Sequence, residues 1–456
     1  MSRAAVNQCP RAGGVRIILV SEFDTPFSTA EAIACEDSKL ERRFSSLWLS
    51  LPNLRQFFLR ASLLLSVEKS PRMKSHTTPN RVLATLADLV RINSVNPAYV
   101  GGVSEAAVAA YVEEFFRRRG IETFSQEVFP GRPNVIARLP GRQAGRRVVF
   151  EAHTDTASVT GMTIPPFEPR VADGRLYGRG SCDTKAGLAA MMHALAAVKE
   201  SGAVPPCEIW LAAAADEEFS YRGVVKLCEG LTAAAGIVAE PTELRAIIAS
   251  KGVIRWKIRT RGVTAHSSKP HLGVNAINHM TRVIQALEMD ARKLALRPHP
   301  MLGVATVNVG VIRGGVQVNF VPDECEIEID RRLLPGETIE AVLAGYEKLV
   351  TDAGAGIRDF HAEMLPPMLT DYPLATDPDA PPVKMASAIL RDLGLNPEPA
   401  GVPFGSDASK LGRVGIPSLI FGPGSIDQAH AAVEYVECAQ VEQACEFYRQ
   451  FMVRFE

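Results

Sequence analysis

The chain reads as an α/β protein that carries a second, smaller α+β unit inserted within it. Three observations predict this. Continuous apolar runs of strand length alternate with helical stretches between Asn134 and Ala239 and again near Ser418 to Phe421, as in a sheet covered by helices on both faces. Between Val253 and Glu363 the pattern becomes alternating strands and two helices in the order β-α-β-β-α-β, the ferredoxin-like arrangement. Finally, 456 residues exceed one small domain, and a hydrophobic content of 46% suffices for sizeable cores.

The elements follow in order. Residues 77–90 (TTPNRVLATLADLV) predict a helix with Thr77 or Thr78 near its cap and Pro79 in its first turn. Residues 104–119 form a second helix, closed by Gly120. Short apolar runs at 134–139, 147–151, 208–215, 236–239 and 418–421 are strands, with helices at 185–200, 221–230 and 383–393. In the middle, VIRWKIRTR (253–261) and ECEIEIDRRL (324–333) alternate as half-buried strands, 305–312 and 357–363 complete the set, and 273–290 and 337–353 are the two helices. The division expected is an N-terminal extension at 1–75, poorly ordered, a first catalytic segment at 76–249, the inserted unit at 250–364 and a second catalytic segment at 365–456.

Composition narrows the function classes. The formal net charge of −1 gives no electrostatic basis for binding nucleic acid or an anionic membrane. The eight cysteines are scattered without a CxxC pair, which fits reduced thiols in a cytoplasmic protein. The apolar run from Ile17 to Val20 is too short for a secretory signal and meets Glu22 and Asp24. Leu47 to Leu65 is interrupted by Pro52, Arg55 and Arg60, so it does not span a bilayer; a basic amphipathic surface helix is the alternative to a poorly ordered extension there. Regular patterning begins only after Met73, which is itself a candidate start.

The residues with chemical potential arrive in short motifs: HTD at 153–155, GRGSCDTKAG at 178–187, DEE at 216–218, AEPTE at 239–243 and QAHAAVEY at 428–435. His153, Glu217, Glu218 and Glu240 sit at or just beyond the ends of apolar strands, and His430 follows the strand SLIF by nine residues. That edge of an open α/β sheet is where ligands bind. Asp155 is placed to accept a hydrogen bond from the His153 ring and so set its tautomer. Asp183 lies in a glycine-rich stretch before a helix. Taken singly, each has a plain alternative: an incidental HxD, a helix cap at Asp183, a solvated strand end at Glu217 and Glu218, a surface histidine at His430. Adjacent buried carboxylates, however, repel without cations. The joint placement at strand ends points to a shared metal site.

With these motifs in this order, the sequence resembles, over roughly residues 80–455, the di-zinc amidohydrolases that include acetylornithine deacetylase, succinyl-diaminopimelate desuccinylase, aminoacylase and carboxypeptidase G. The resemblance rests on HTD, DGRLYGRGSCDTKAG (173–187), DEE and the late histidine. It implies a zinc-peptidase-like catalytic domain and two Zn(2+) ions, with Co(2+) or Mn(2+) able to substitute. One ion would take His153 and Glu240, the other Glu218 and His430, with Asp183 bridging; Glu217 would be the general base. The peptide bond after Asp183 would be cis. GVTAHSSKPHLGVNAI (262–277) resembles the family's dimerisation and lid domain, so that His266 would reach the active site of a homodimer partner. GGVQVNFVPDECEIEIDRRLLPGE (314–337) resembles the stretch supplying Asn319 and Arg332 to the substrate. The planar fork of Arg332 suits a substrate carboxylate, and Lys251 and Asp407 are weaker contact candidates. The segment TASVTG after HTD departs from the commoner family pattern, and the first 75 residues have no family counterpart.

The implied activity is hydrolysis of the amide bond of an N-acyl amino acid, a small molecule with a free carboxylate. A dipeptidase or carboxypeptidase is the enzymatic alternative. A catalytically silent dimeric binding protein on the same fold is the alternative of another class, and the intact set of five ligands with Glu217 argues against it.

Overall fold

The computed structural model describes residues 79–456; the expectations for 1–75, and for Thr77 and Thr78, lie outside the described residues. Helices α1 (Pro79–Arg91) and α2 (Ala106–Arg117) lead into strands β1 (Glu122–Phe129), β2 (Arg132–Leu139) and β3 (Arg147–His153). The short β4 (Arg170–Ala172) and β5 (Arg175–Tyr177) precede α3 (Lys185–Glu200), β6 (Glu208–Ala214), α4 (Arg222–Leu227), β7 (Ala235–Val238) and β8 (Ile247–Ser250). The strands of a second sheet and two helices follow: β9 (Gly252–Arg261), α5 (Ala276–Leu294), β10 (Thr306–Gly314), β11 (Glu324–Leu333), α6 (Ile339–Ala353), β12 (His361–Met364) and β13 (Leu369–Asp371). The chain then returns through β14 (Leu374–Ala375), α7 (Pro381–Asp392), β15 (Ala400–Val402), α8 (Ala408–Arg413), β16 (Ser418–Ile420), β17 (Tyr435–Glu437) and α9 (Cys438–Arg454).

The large sheet is mixed, in the order β1-β2-β6-β3-β7-β16-β8-β14, with β15 beside β8. Its centre, β6-β3-β7-β16, is parallel, so the carboxyl ends of these four strands meet along one edge. Their apolar runs are continuous because both faces are covered. Phe150, Leu211, Ile237 and Leu419 face a core shared with α1, α3 and α9, whereas Val149, Ala212, Val238 and Ile420 face α4 and α8. Alternate residues of one strand thus enter opposite layers. Each such Val, Leu, Ile or Phe withdrawn from water contributes roughly 1.5–3 kcal/mol before the cost of ordering the chain.

Helix α3 runs through the first core. Gly187 lets it approach β7: a Cβ there would stand 2.5 Å from Cβ of Ala239. Lys185, fully buried in the first turn of α3, donates from Nζ to the carbonyls of Leu89 (2.9 Å) and Ile92 (2.8 Å), satisfying the carboxyl end of α1.

The smaller sheet, β10-β11-β9-β12 with β13 beside β9, carries α5 and α6 on one face. Ile254, Trp256 and Ile258 of β9 and Ile327 and Ile329 of β11 pack beneath those helices, and the alternate residues, such as Lys257 and Glu326, stay on the open face. That division accounts for the period-two pattern of both strands.

Several elements were not among those expected. The C-terminal α9 has Val441, Ala444, Cys445, Tyr448, Phe451 and Met452 buried at helical spacing, a signal present in the sequence. Strand β1 pairs with β2 across the Pro130-Gly131 turn. Expected helix 221–230 shortens to Arg222–Leu227. Among the described residues no helix is long and apolar enough to cross a membrane.

Candidate active site

Four strand ends deliver the site. His153 closes β3, Glu217 and Glu218 follow β6, Glu240 lies two residues beyond β7, and His430 comes from the loop after β16. Asp183 enters from the turn before α3, and its peptide bond to Thr184 is cis. Gly422 holds the β16 loop against β7: a Cβ there would lie 2.6 Å from the backbone oxygen of Glu240.

These side chains form two adjoining clusters. One oxygen or nitrogen each of His153, Glu217 and Glu240 lie within 4.8 Å of one another, and so do those of Asp183, Glu218 and His430. Asp183 joins the clusters. Its Oδ1 stands 3.0 Å from Nε2 of His153, and its Oδ2 stands 3.4 Å from Nε2 of His430. Nε2 of His430 is 2.9 Å from Oε2 of Glu218. Glu217, expected as the base, thus stands beside His153 and Glu240, at ligand range.

The role expected of Asp155 needs correction. Nδ1 of His153 lies 2.9 Å from the backbone oxygen of Asp155, and the Asp155 carboxylate is 3.7 Å away. The carboxylate is engaged elsewhere: it accepts from the backbone amides of Glu217 (3.1 Å) and Glu218 (3.1 Å) and from Nδ2 of Asn96 (2.8 Å). Asp155 therefore aims the DEE turn, while its own carbonyl sets the histidine. A carbonyl only accepts, so Nδ1 carries the hydrogen and Nε2 faces Asp183.

The electrostatics point to cations. Four carboxylates converge with two imidazoles. Burial pushes the carboxyls of Glu217, Glu218 and Glu240 above their ordinary range, and the neighbouring carboxylates push the same way. Burial opposes a charge on His153, but its contact with Asp183 and the fields of Glu217 and Glu240 raise it well above the ordinary imidazole value. The hydrogen bond to Glu218 raises His430 to about 9. Asp183 is raised by burial yet held below the usual range by His153 and His430. A divalent ion in each cluster would neutralise this excess of negative charge, and a neutral Nε2 beside carboxylate oxygens is the donor set such ions take. The residues fit a pair of divalent metals.

Three supports escaped sequence reasoning. Glu434 Oε1 accepts from the backbone amides of Cys182 (2.9 Å) and Asp183 (3.0 Å), while Oε2 accepts from Arg179 (2.6 Å). Tyr99 donates to the backbone oxygen of Glu218 at 2.7 Å. Asn96 links Asp155 to Asp216, donating to the latter at 2.9 Å. Only Glu434, four residues after His430, had a nearby signal. Asp407, considered for substrate contact, is 1% exposed, and burial pushes it up to about 7.

The remaining expected residues lie on or beside the smaller sheet. Arg332 and Lys251 are neighbours: Gly252 pairs with Leu333 and Val253 with Arg332. Asn319 and His266 adjoin on another pair of loops, where Ser267 donates to the Asn319 carbonyl at 3.0 Å. The His266 ring is exposed, lies 2.8 Å from Ser268 Oγ and enters neither cluster of its own chain.

The chain belongs to peptidase family M20/M25/M40, whose model matches residues 149–454. It is accordingly a metal-dependent hydrolase. It is 33% identical over 310 residues to an acetylornithine deacetylase of Myxococcus xanthus, covering 66% of this chain and 79% of the relative. An acetylornithine deacetylase of Pectobacterium atrosepticum is 30% identical over 332 residues, covering 71% and 83%. A tripeptidase of Staphylococcus aureus has the same fold, with a TM-score of 0.71 at 24% identity over 83% of this chain and 98% of the other.

Proposed function

We propose that this chain hydrolyses the amide bond of N-acyl amino acids, in the manner of an acetylornithine deacetylase or succinyl-diaminopimelate desuccinylase. The observation that carries the reading is Asp183 set between two histidine-carboxylate clusters, with Glu217 buried beside them. His153 and Glu240 would hold one divalent ion, Glu218 and His430 the other, and Asp183 both. We take zinc as the metal, with cobalt or manganese able to substitute. Bound there, the ions supply Lewis acidity to the scissile carbonyl and make water acidic enough to deprotonate near neutral pH.

The protein's own groups do the rest. Glu217, whose burial raises its proton affinity, takes a proton from the attacking water and passes it to the leaving nitrogen. Asp155 keeps Glu217 and Glu218 aimed through their backbone amides. Arg332 and Lys251 hold the carboxylate of the amino-acid part. His266 and Asn319 would complete the site from a second copy, in a homodimer formed through the smaller sheet. The six described cysteines are free, which supports a cytoplasmic location.

The test is amine release from N-acetyl and N-succinyl amino acids and from dipeptides, with chelator and with added zinc. Chelator-sensitive release from one acyl class is expected. Release from dipeptides alone would replace this reading with a peptidase.

A further inference from the structure

The open face of the smaller sheet carries rows of charge that balance along most of their length but not at one end. Lys257 lies 2.9 Å from Glu326, Arg259 2.8 Å from Glu326, Arg313 2.7 Å from Glu328 and Arg261 3.2 Å from Glu324. Glu363 adds a further carboxylate, 3.3 Å from Arg261. At the end that joins the large sheet, Arg255 and Arg332 share one carboxylate. Nε of Arg255 donates to Oδ2 of Asp330 at 2.8 Å, and Nε of Arg332 donates to Oδ1 at 2.8 Å. Lys251 adds a third cation there, and among the described residues its Nζ donates to the carbonyl of Val304, at 2.6 Å.

The shared carboxylate orients both guanidinium groups. Asp330 takes Arg255 by Nε alone, so neither Nη of Arg255 has a protein partner among the described residues. Both arginines remain partly open, with side chains 47% and 30% exposed. A planar guanidinium held by one edge presents the other for paired hydrogen bonds to a carboxylate.

The cationic end adjoins the elements that lead to the metal clusters: Val253 of β9 pairs with Asp371, Asp371 Oδ1 lies 2.8 Å from Lys410 Nζ, and Lys410 Nζ lies 3.4 Å from the centre of the Tyr221 ring. Burial and the carboxylates around Glu218 raise the Tyr99 phenol to about 12, and the Arg255 charge pulls against them. The same charge acts on Tyr221, raised chiefly by burial and then by Glu217. Tyr99 bonds the backbone of Glu218, and Tyr221 is three residues beyond it. Lys251 immediately precedes β9, where Gly252 pairs with Leu333 and Val253 with Arg332, and burial, then the charges of Arg332 and Arg331, hold it below its ordinary value.

We infer that Arg255, with Arg332 and Lys251, forms a specificity subsite for amides whose amino-acid part bears two carboxylates, such as N-acyl glutamate or aspartate. One carboxylate would meet Arg332 and Lys251, and the second would meet the free edge of Arg255. A neutral side chain would leave that edge without a partner, and the ammonium of an ornithine side chain would be repelled. The inference rests on the amidohydrolase reading for the bond that is cut, but the subsite itself is a matter of binding.

The test is calorimetric titration of the zinc-loaded full chain with glutamate, glutamine and ornithine, the amine products, in wild type and in Arg255→Gln and Arg255→Lys. Glutamate should bind about tenfold or more tightly than the other two. The preference should fall to near parity in Arg255→Gln, survive in part in Arg255→Lys, and weaken as salt rises. Equal affinities in the wild type would overturn the subsite. So would an Arg255→Gln variant that loses glutamate and glutamine alike, since that marks a structural role. Steady-state hydrolysis of the three N-acetyl amino acids separates the two claims. Turnover without preference would leave the hydrolase and remove the subsite; preferential binding without turnover of any amide would leave the subsite and remove the deacylase reading.

Discussion

Glu434 accepts a hydrogen bond from Arg179 Nη1 at 2.6 Å, and the pair is buried, with side chains 0% and 2% exposed. The second oxygen of Glu434 holds the amides of Cys182 and Asp183, so this ion pair fixes the approach of the carboxylate that joins the two clusters. Glu434→Ala leaves Arg179 charged and unpaired. It should cost about 3–5 kcal/mol of stability, measured by urea unfolding, and should also weaken metal binding. A folded variant with unchanged metal affinity would show that Asp183 needs no such support.

Glu217 and Glu218 are adjacent in sequence but should separate in function. Glu217→Gln should lower kcat by roughly 10²–10⁴-fold with the metal content retained. Glu218→Gln removes a charge from the cluster with Asp183 and His430 and should reduce metal affinity. Equilibrium dialysis with metal analysis decides between them; metal loss in Glu217→Gln would make that residue a ligand.

Asp155 predicts an effect carried through the backbone. Its oxygens accept from three donors around the DEE turn, and Asp155→Asn turns one of those oxygens into a donor facing donors. Metal affinity or kcat should fall about 10–100-fold. The ring contact of His153 with the Asp155 carbonyl should persist, so histidine NMR signals in Asp155→Asn should keep Nδ1 protonated; a changed tautomer would return the carboxylate to that role.

Stability should decline in mild acid partly through His193. Burial, then the charges of Arg119 and Arg81, lower this histidine from 6.5 to about 4, and its Nε2 lies 2.8 Å from the Thr85 hydroxyl. Below about pH 6.5 the unfolded chain binds a proton that the folded chain refuses until about pH 4. Stability therefore falls as pH drops through that window, by at most about 3 kcal/mol from this group. His193→Gln should flatten that part of the curve of unfolding free energy against pH; an unaltered slope would assign the loss to other groups.

Much of the fold was legible because both sheets announce themselves locally. Buried parallel strands must be apolar on two faces, and half-buried ones must alternate, so β3, β6, β9 and β11 show in the sequence within a residue or two. The short strands β4, β5, β14 and β17 did not show, since two or three residues carry no period. Helix α9 buries Val441, Ala444, Cys445, Tyr448 and Met452 at helical spacing, so its period is present in the sequence.

The sequence by itself determined which residues stand at the strand ends, because chain direction and strand length place His153, Glu217, Glu218 and Glu240 there whatever surrounds them. Tertiary structure alone decided what those residues touch. It gave the His153 ring a backbone carbonyl in place of a carboxylate, set Glu434 under Asp183 from 251 residues away, and left Arg255 half-held on Asp330 across two paired strands. Hydrogen-bond partners depend on ångström separations between segments that only packing brings together, and no spacing within the chain encodes them.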